Sequence, residues 1–318
     1  MISGILLIDK PEGISSFDVV RRVRRVFKER KIGHLGTLDP FATGLLPLCL
    51  GEATKLVPYL MPGAKTYRAT LKLGEATDTQ DLTGQVVSRS EAWPSPEQVY
   101  PAAAGFVGEI QQVPPMHSAL HYQGQRLYKL ARRGEQVELA PRTVTIYGLE
   151  VEEVELPRVT IKVKCSAGTY IRTLAADLGA ALGCGAHLTA LRRLEVGQFR
   201  VTDAVTLEAL EKGNPEAGLA RLIPLVDCLP GMRQVSVGPE EADKVRQGQA
   251  LAWQDDDFPP DEPVRVMSAG ELLALARMRR QAEQVILAPV RVFLSSQRSD
   301  ISDQQKPKAL TKIAAPTG

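Results

Sequence analysis

The sequence predicts an α+β fold in two units, and three observations carry that prediction. Strand-like alternation and helix-like periodicity both occur along the first two-thirds of the chain. Around residues 224–232, PLVDCLPGM, the helical periodicity fades and short strand-like pieces such as QVSVG and VRVMS take over. A length of 318 residues is more than one average domain and less than three. The composition, 44% hydrophobic and 24% charged, is that of an ordinary globular chain. No stretch approaches the roughly 18–20 apolar residues that a bilayer span needs. The start, MISGILLIDKPEG, lacks the basic region and small-residue cleavage site of an export signal, so a cytoplasmic location is expected.

Residues 3–8, SGILLI, read as a short buried strand ending at Asp9-Lys10-Pro11. Ser15 or Ser16 caps the next helix, because a serine hydroxyl accepts an orphan backbone N–H. Val19, Val20, Val23, Val26 and Phe27 give that helix one buried face. Arg21, Arg22, Arg24, Arg25 and Lys28 fall largely on the other side, as either a solvated basic face or a phosphate-contacting one. Residues 33–43, GHLGTLDPFAT, contain glycine and proline without a period and read as an ordered loop. Strands are expected over 65–74 and 84–88. Residues 111–142 form a long connection with Pro114-Pro115 and a short helix-like piece, RLYKLARRG; such loops are usually functional or disordered.

Strands at 143–154 and 158–166, a helix over about 169–182 and a strand at 186–196 complete the first unit, 1–228. The second unit, 229–294, has room for a compact β-rich module. Its acidic run, Asp255-Asp256-Asp257 with Asp261 and Glu262, reads as a solvated loop, and the polar tail 295–318 is expected to be disordered.

The chemistry-bearing residues are ambiguous one at a time. Asp39, before Pro40 and five residues after His34, has the pattern of a turn aspartate bonding its own backbone. Tyr170 and Arg172, in AGTYIRTLAADLG, lie at a strand-to-helix junction where both could line a pocket, but a core tyrosine and a surface ion-pair arginine fit equally. Tyr67 in KTYRA reads as a half-buried strand residue. Zinc is disfavoured, since the four histidines form no HxxxH pattern and Cys49, Cys165, Cys184 and Cys228 form no CxxC pair. Those cysteines are expected to be buried, reduced thiols. A net charge of +2 means that any affinity for nucleic acid must come from local basic patches.

Taken together, the strings DKPEGISSFDVV, GHLGTLDPFATGLLPL, KTYRATLKLGEATDTQDLTG, VPPMHSALHYQGQRLYKLARRG, AGTYIRTLAADLG and HLTALRRLEVGQF occur in an order that resembles the TruB-type tRNA pseudouridine synthases. The resemblance runs from about residue 3 to residue 226. It implies a pseudouridine synthase fold, with a central mixed or antiparallel sheet flanked by helices and loops, and a PUA-like C-terminal domain. It implies isomerisation of uridine 55 in the T-loop of tRNA, with Asp39 as the catalytic carboxylate, Arg172 as its pairing arginine and Tyr170 near C5 of the base. His34 then takes the place of the extruded nucleotide, Tyr67 stacks on the flipped base, and Leu191 makes an apolar contact. Lys10 and Pro11 match a lysine–proline motif of structural role. Residues 117–142 match the thumb insertion that clamps the T-arm, with Arg126, Lys129, Arg132 and Arg133 as candidate phosphate contacts. One departure is His117, where an aromatic residue is expected.

The chemistry suits this set. Breaking N1–C1′ and joining C5 to C1′ is redox-neutral, so no cofactor or metal is expected. One carboxylate without a partner acid fits an isomerase better than a glycoside hydrolase, which uses two. Burial should raise the pKa of Asp39 and a nearby arginine should lower it. The implied partner is tRNA, through its T-arm; no membrane or protein partner is implied, and a monomer is expected. Two other readings use the same scaffold: a tRNA-binding or tRNA-folding protein without catalysis, for which Asp39 would have no purpose, and a guide-RNA-dependent synthase, which generally lacks the long thumb.

Overall fold

Apolar residues at every second position make residues 65–73 a strand with one face on the core, and the largest sheet is built outward from it. The computed structural model describes residues 2–294 other than 119, 123, 128–129, 131–132, 136, 255–261 and 282–283, together with all side chains in that set but those of His121 and Arg126. The strands of the first unit are Gly4–Lys10 (β1), Ile32–His34 (β2), Thr43–Leu50 (β3), Lys65–Leu73 (β4), Glu75–Thr77 (β5), Val86–Arg89 (β6) and Gly108–Gln112 (β7). They continue with His121–Tyr122 (β8), Gln125–Arg126 (β9), Arg142–Glu155 (β10), Arg158–Cys165 (β11), Ala186–Val196 (β12), Phe199–Arg200 (β13) and Val205–Thr206 (β14). Ten of them form one sheet in the order β14-β1-β3-β12-β4-β11-β10-β7, with β2 added to β3 and β13 to β12. The β1–β14 and β3–β12 pairs are parallel while β1–β3, β12–β4, β4–β11 and β11–β10 are antiparallel, so the sheet is mixed.

Helix α1, Ser16–Phe27, starts at a capping box: Ser15 Oγ accepts from Asp18 N–H at 3.1 Å, and Asp18 Oδ2 accepts from Ser15 N–H at 3.0 Å. Its buried face, Val19, Val20, Val23 and Phe27, packs on Leu6, Ile8, Leu46, Leu48 and Leu50. Each such side chain contributes about 1.5–3 kcal/mol by leaving water. Helix α2, Pro96–Ala104, and helix α3, Ile171–Ala181, cover the other half of the sheet, where Leu174, Ala175 and Leu178 meet Leu71, Leu73 and Leu188.

Two elements depart from the sequence expectation. Thr43–Leu50 is a strand that the pattern did not show, because it is buried on both faces and therefore does not alternate. Gly108–Gln112 pairs with β10, so the connection before Arg142 begins as sheet. The helix-like piece RLYKLARRG lies partly outside the described residues, as do most of the acidic run at 255–262 and all of the tail. All four cysteines are buried and free. No helix among the described residues is long and apolar enough to cross a membrane.

The chain divides into two units between Arg233 and Gln234. The second contains Gln234–Ser236 (β15), Pro239–Arg246 (α4), Leu251–Trp253 (β16), Pro263–Ser268 (β17), Glu271–Gln281 (β18) and Gln284–Val292 (β19). Its sheet runs β15-β17-β18-β19-β16 around Val235, Val245, Val264, Val266 and Leu287. A mixed sheet with helices and a separate β-rich unit agree with the α+β expectation.

One row across the large sheet prepares the site. Lys10 pairs with Gly44, Gly44 with Arg193, and Arg193 with Tyr67, so these residues stand side by side on β1, β3, β12 and β4. Gly44 has φ +98°, and a Cβ there would lie 2.3 Å from the Arg193 carbonyl oxygen. Gly44→Ala is therefore expected to destabilise the first unit by about 2–4 kcal/mol in urea unfolding. A loss under about 0.5 kcal/mol, the usual range of neutral surface changes, would contradict this close approach.

Candidate active site

The loop between β2 and β3 is fixed from three directions. Leu35, Leu38, Phe41 and Ala42 are buried under it. Ser16, at the first position of α1, accepts from Leu38 N–H at 2.8 Å and donates to the Leu38 carbonyl at 3.1 Å. Lys10 Nζ donates to the carbonyls of Ile14 at 2.7 Å, Pro11 at 2.9 Å and Pro40 at 3.2 Å. Arg193 donates from Nε to Leu45 O at 2.7 Å, from Nη2 to Gly36 O at 3.1 Å and from Nη1 to Thr37 O at 3.5 Å. Two buried cations thus bond backbone carbonyls instead of carboxylates and set the loop's path.

That path presents Asp39. Its side chain is not spent on its own backbone: Oδ2 lies 3.1 Å from Arg172 Nε, and the side chain keeps 34% of its surface open. Arg172 is 4% exposed. Its Nη1 lies 3.3 Å from Asp81 Oδ2 and 3.3 Å from the Thr79 carbonyl, and its Nη2 donates to the His117 carbonyl at 2.7 Å. Asp81, 3% exposed, sits in the connection between β5 and β6. Its Oδ1 accepts from Thr83 Oγ1 at 2.5 Å, Thr79 Oγ1 at 2.8 Å and Thr83 N–H at 2.9 Å.

Tyr170 caps α3 with its backbone. Its N–H donates to Gln112 Oε1 at 2.8 Å and its carbonyl accepts from Gln112 Nε2 at 3.1 Å, while the Arg142 guanidinium lies 4.8 Å from the ring centroid. Asp39, Tyr67, Tyr170, Arg172, Leu191, Arg193 and Lys65 line one cavity of about 270 Å³. Lys65 Nζ is itself bonded to the carbonyls of Met61 and Gly63, each at 2.6 Å.

Five of the residues singled out in the sequence thus converge: Asp39, Tyr67, Tyr170, Arg172 and Leu191. His34 does not line the cavity; it ends β2 opposite Leu48, with a buried Nδ1 that has no partner. Burial, then the Arg193 charge, holds its pKa down and keeps it neutral. Arg133 is paired with Glu135 at 2.6 Å and Gln125 at 2.9 Å. Lys129, Arg132 and the Arg126 side chain lie outside the described residues. Sequence reasoning missed Asp81, Arg193 and Gln112. Asp81 had a signal, since an aspartate with threonines two residues away on each side is built to be saturated by hydroxyls.

Comparison with known proteins gives the site its context. The TruB family pseudouridylate synthase N-terminal domain matches residues 24–171, and the tRNA pseudouridylate synthase B C-terminal domain matches residues 172–225. The tRNA pseudouridine synthase B of Ralstonia nicotianae is 49% identical over 84% of this chain and 86% of its own. That of Burkholderia mallei is 46% identical over 92% and 98%. The chain belongs to the TruB family of pseudouridylate synthases. It is an isomerase. Among solved structures, a chain of an H/ACA RNP bound to a substrate RNA containing 2′-deoxyuridine superposes with TM-score 0.69 at 26% identity, covering 92% of this chain and 86% of that one. A chain of a Cbf5–Nop10–Gar1 complex gives 0.69 at 27% identity, covering 92% and 85%.

In this TruB-family site the carboxyl of Asp39 is pushed above its ordinary value. Burial is the main cause, the Arg172 and Lys10 charges oppose it, and Asp81 adds to it. Burial also raises the Tyr67 phenol, which leaves its deprotonated form scarcer than in free tyrosine, and pulls Lys10 down to about 8. A carboxyl with a raised folded-state pKa favours the fold in its protonated form, and that contribution is lost as pH rises through the folded pKa. Asp39→Asn is therefore expected to raise the Tm at pH 8, with the gain shrinking as pH falls below the ordinary carboxylate value of about 3.9. Thermal melts at the two pH values check this, and a variant less stable than wild type at pH 8 would contradict it.

Proposed function

We propose that the protein isomerises uridine 55 in the T-loop of tRNA to pseudouridine, with Asp39 as the catalytic carboxylate on a flipped-out nucleotide. The observation that carries this reading is a lone, partly open carboxylate held by a buried guanidinium at the wall of a cavity that also contains Tyr67, Tyr170 and Leu191. The cavity is near the small end of ligand pockets, roughly 300–1,000 Å³, a size suited to one nucleoside and not to a paired strand. The target must leave its stack, at a few kcal/mol, and stacking on an aromatic ring offsets that cost. Tyr67 supplies the ring, Leu191 the apolar contact, and His34, at the end of β2 outside the cavity wall, is read as the side chain that replaces the base.

The reaction balances without a co-reactant: N1–C1′ breaks, C5–C1′ forms, a proton leaves C5 and one is taken up at N1. Positive charge at C1′ is met by the Asp39 carboxylate. Negative charge on the detached base is met by the surrounding cations: Arg172, Arg193, Lys10 and Lys65 outnumber Asp39 and Asp81 around the site. Tyr170, on the cavity wall, is read as the residue that shields C5 and helps move its proton. Asp81 keeps Arg172 in place when Asp39 engages the sugar.

Residues 117–142 are read as the thumb, with Arg126, Lys129, Arg132 and Arg133 as phosphate contacts, and the β-rich C-terminal unit as a PUA-like RNA-binding module. The enzyme is read as a cytoplasmic monomer. Relatives at 46–49% identity bear the name tRNA pseudouridine synthase B, whereas the H/ACA-type structures are 26–27% identical, which favours the stand-alone reading over a guide-dependent one.

Tritium release from tRNA labelled at uridine C5 tests the assignment. Asp39→Asn, nearly isosteric, is expected to abolish release while tRNA affinity stays within about tenfold; wild-type turnover in that variant would sink it. Arg172→Ala is expected to lower kcat by about 100-fold or more, against a smaller change in tRNA affinity. An unchanged kcat would remove Arg172 from the chemistry.

A further inference from the structure

Over residues 21–31, RRVRRVFKERK, seven cations face one carboxylate, in a chain whose net charge is only +2. At 3.6 residues per turn, Phe17, Arg21 and Arg24 fall on one solvent-facing stripe of α1, and Lys28 at the C-cap continues it. Phe17 is 59% exposed, the most open large apolar side chain of that helix. The guanidinium carbons of Arg21 and Arg24 each lie 6.0 Å from its ring centroid, so the ring is flanked by charge on its own helix. Arg21 is paired with Asp18 and Arg22 with Glu211 at 3.6 Å, whereas Arg25, Lys28 and Arg30 are exposed and have no ion-pair partner among the described residues.

A single exposed phenylalanine needs no explanation, and a basic helix face is ordinarily just solvated. The combination is different, because an aromatic face flanked by guanidinium groups matches two features that an unpaired nucleic-acid strand presents together, a base to stack and phosphates beside it. A membrane surface would ask for several apolar side chains on this face, and it offers one. The stripe also adjoins the site: Ser16, next to Phe17, is the residue that clamps Leu38 of the Asp39 loop, and Gly13 N–H donates to the Pro40 carbonyl at 2.8 Å.

We propose that this face of α1 is a second RNA-contact surface, on which an unpaired base of the substrate stacks against Phe17 while Arg21, Arg24, Arg25 and Lys28 take the adjoining phosphates. The proposal rests on the reading of the substrate as tRNA, and it adds a contact outside the cavity that receives the target nucleotide.

Equilibrium binding of an unmodified tRNA transcript, measured from about 50 to 300 mM salt, tests it with two variants. Phe17→Ala is expected to weaken binding about 5- to 10-fold with an unchanged salt dependence, since stacking is uncharged. Arg21→Gln/Arg25→Gln/Lys28→Gln leaves Arg24 on its Ile32 carbonyl at 3.4 Å. It is expected to weaken binding more at low than at high salt, flattening the log–log slope by about 0.7–0.9 for each phosphate no longer neutralised. Circular dichroism melts confirm that each variant is folded, and the exposure of Phe17 makes its truncation the safer of the two. If wild type binds and releases tritium while both folded variants bind tRNA as wild type does, the α1 surface is not an RNA contact and the tRNA assignment stands. If wild type itself neither binds nor modifies tRNA, both readings fall.

Discussion

A guanidinium that is 4% exposed cannot be left without partners, because the effective desolvation penalty of a buried ion is several kcal/mol. Arg172 meets that requirement by drawing on four separate pieces of chain: Asp39 from one loop, Asp81 and the Thr79 carbonyl from the connection after β5, the His117 carbonyl, and the start of α3 that carries it. The site is assembled around this charge. The two carboxylates share it unequally. Asp81 also accepts three hydrogen bonds from Thr79 and Thr83, whereas Asp39 is left with the guanidinium alone and an opening to the cavity. Saturation makes Asp81 a fixed counter-ion. Under-compensation leaves Asp39 with its pKa raised and part of its side chain open to the cavity.

The same economy of partners explains the floor of the cavity. Lys10 and Arg193 are both buried and both bond carbonyls, so they order the loop without losing their charge to an anion. Order and field come from the same atoms. A site whose dipoles and charges are in place before the substrate arrives has little to reorganise when charge develops. Gly44 is part of this arrangement, since a side chain there would displace the Arg193 backbone that carries the clamp.

How much of this could be read from the sequence followed from burial. The strand at 186–196 and the one from 65 were legible because one face of each is apolar and the other polar. Thr43–Leu50 was not, since a strand buried on both faces loses the period of two. At the site, Asp39, Tyr67, Tyr170, Arg172 and Leu191 were named only through the joint family pattern; individually each had an ordinary structural reading. Arg193 shows why. It follows Arg192 in LRRL, and in a strand neighbours point to opposite faces. Arg192 goes to Asp9 at 2.7 Å near the surface and Arg193 into the interior, and composition gives no sign of which is which. Asp81 differs in that its flanking threonines signal a saturated carboxylate, but nothing local signals its partner Arg172. Long-range pairing created both roles: Asp81 and Arg172 are 91 positions apart, and Arg193 is 148 from Leu45.

The similarity to chains from H/ACA-type assemblies, at TM-score 0.69 but 26–27% identity, separates what the fold provides from what chooses the target. The sheet, the Asp39 loop and the α3 start together make a cavity of about 270 Å³, which under the proposed function has room to read one base at most. Under the proposed function, discrimination among the uridines of a tRNA must therefore come from surfaces beyond the cavity. The basic side of α1 is one such surface, where residues 21–31 carry a local excess of six positive charges against a whole-chain +2. Ser16 joins that helix to Leu38 of the Asp39 loop by two hydrogen bonds, so the proposed contact surface and the loop share one buried anchor.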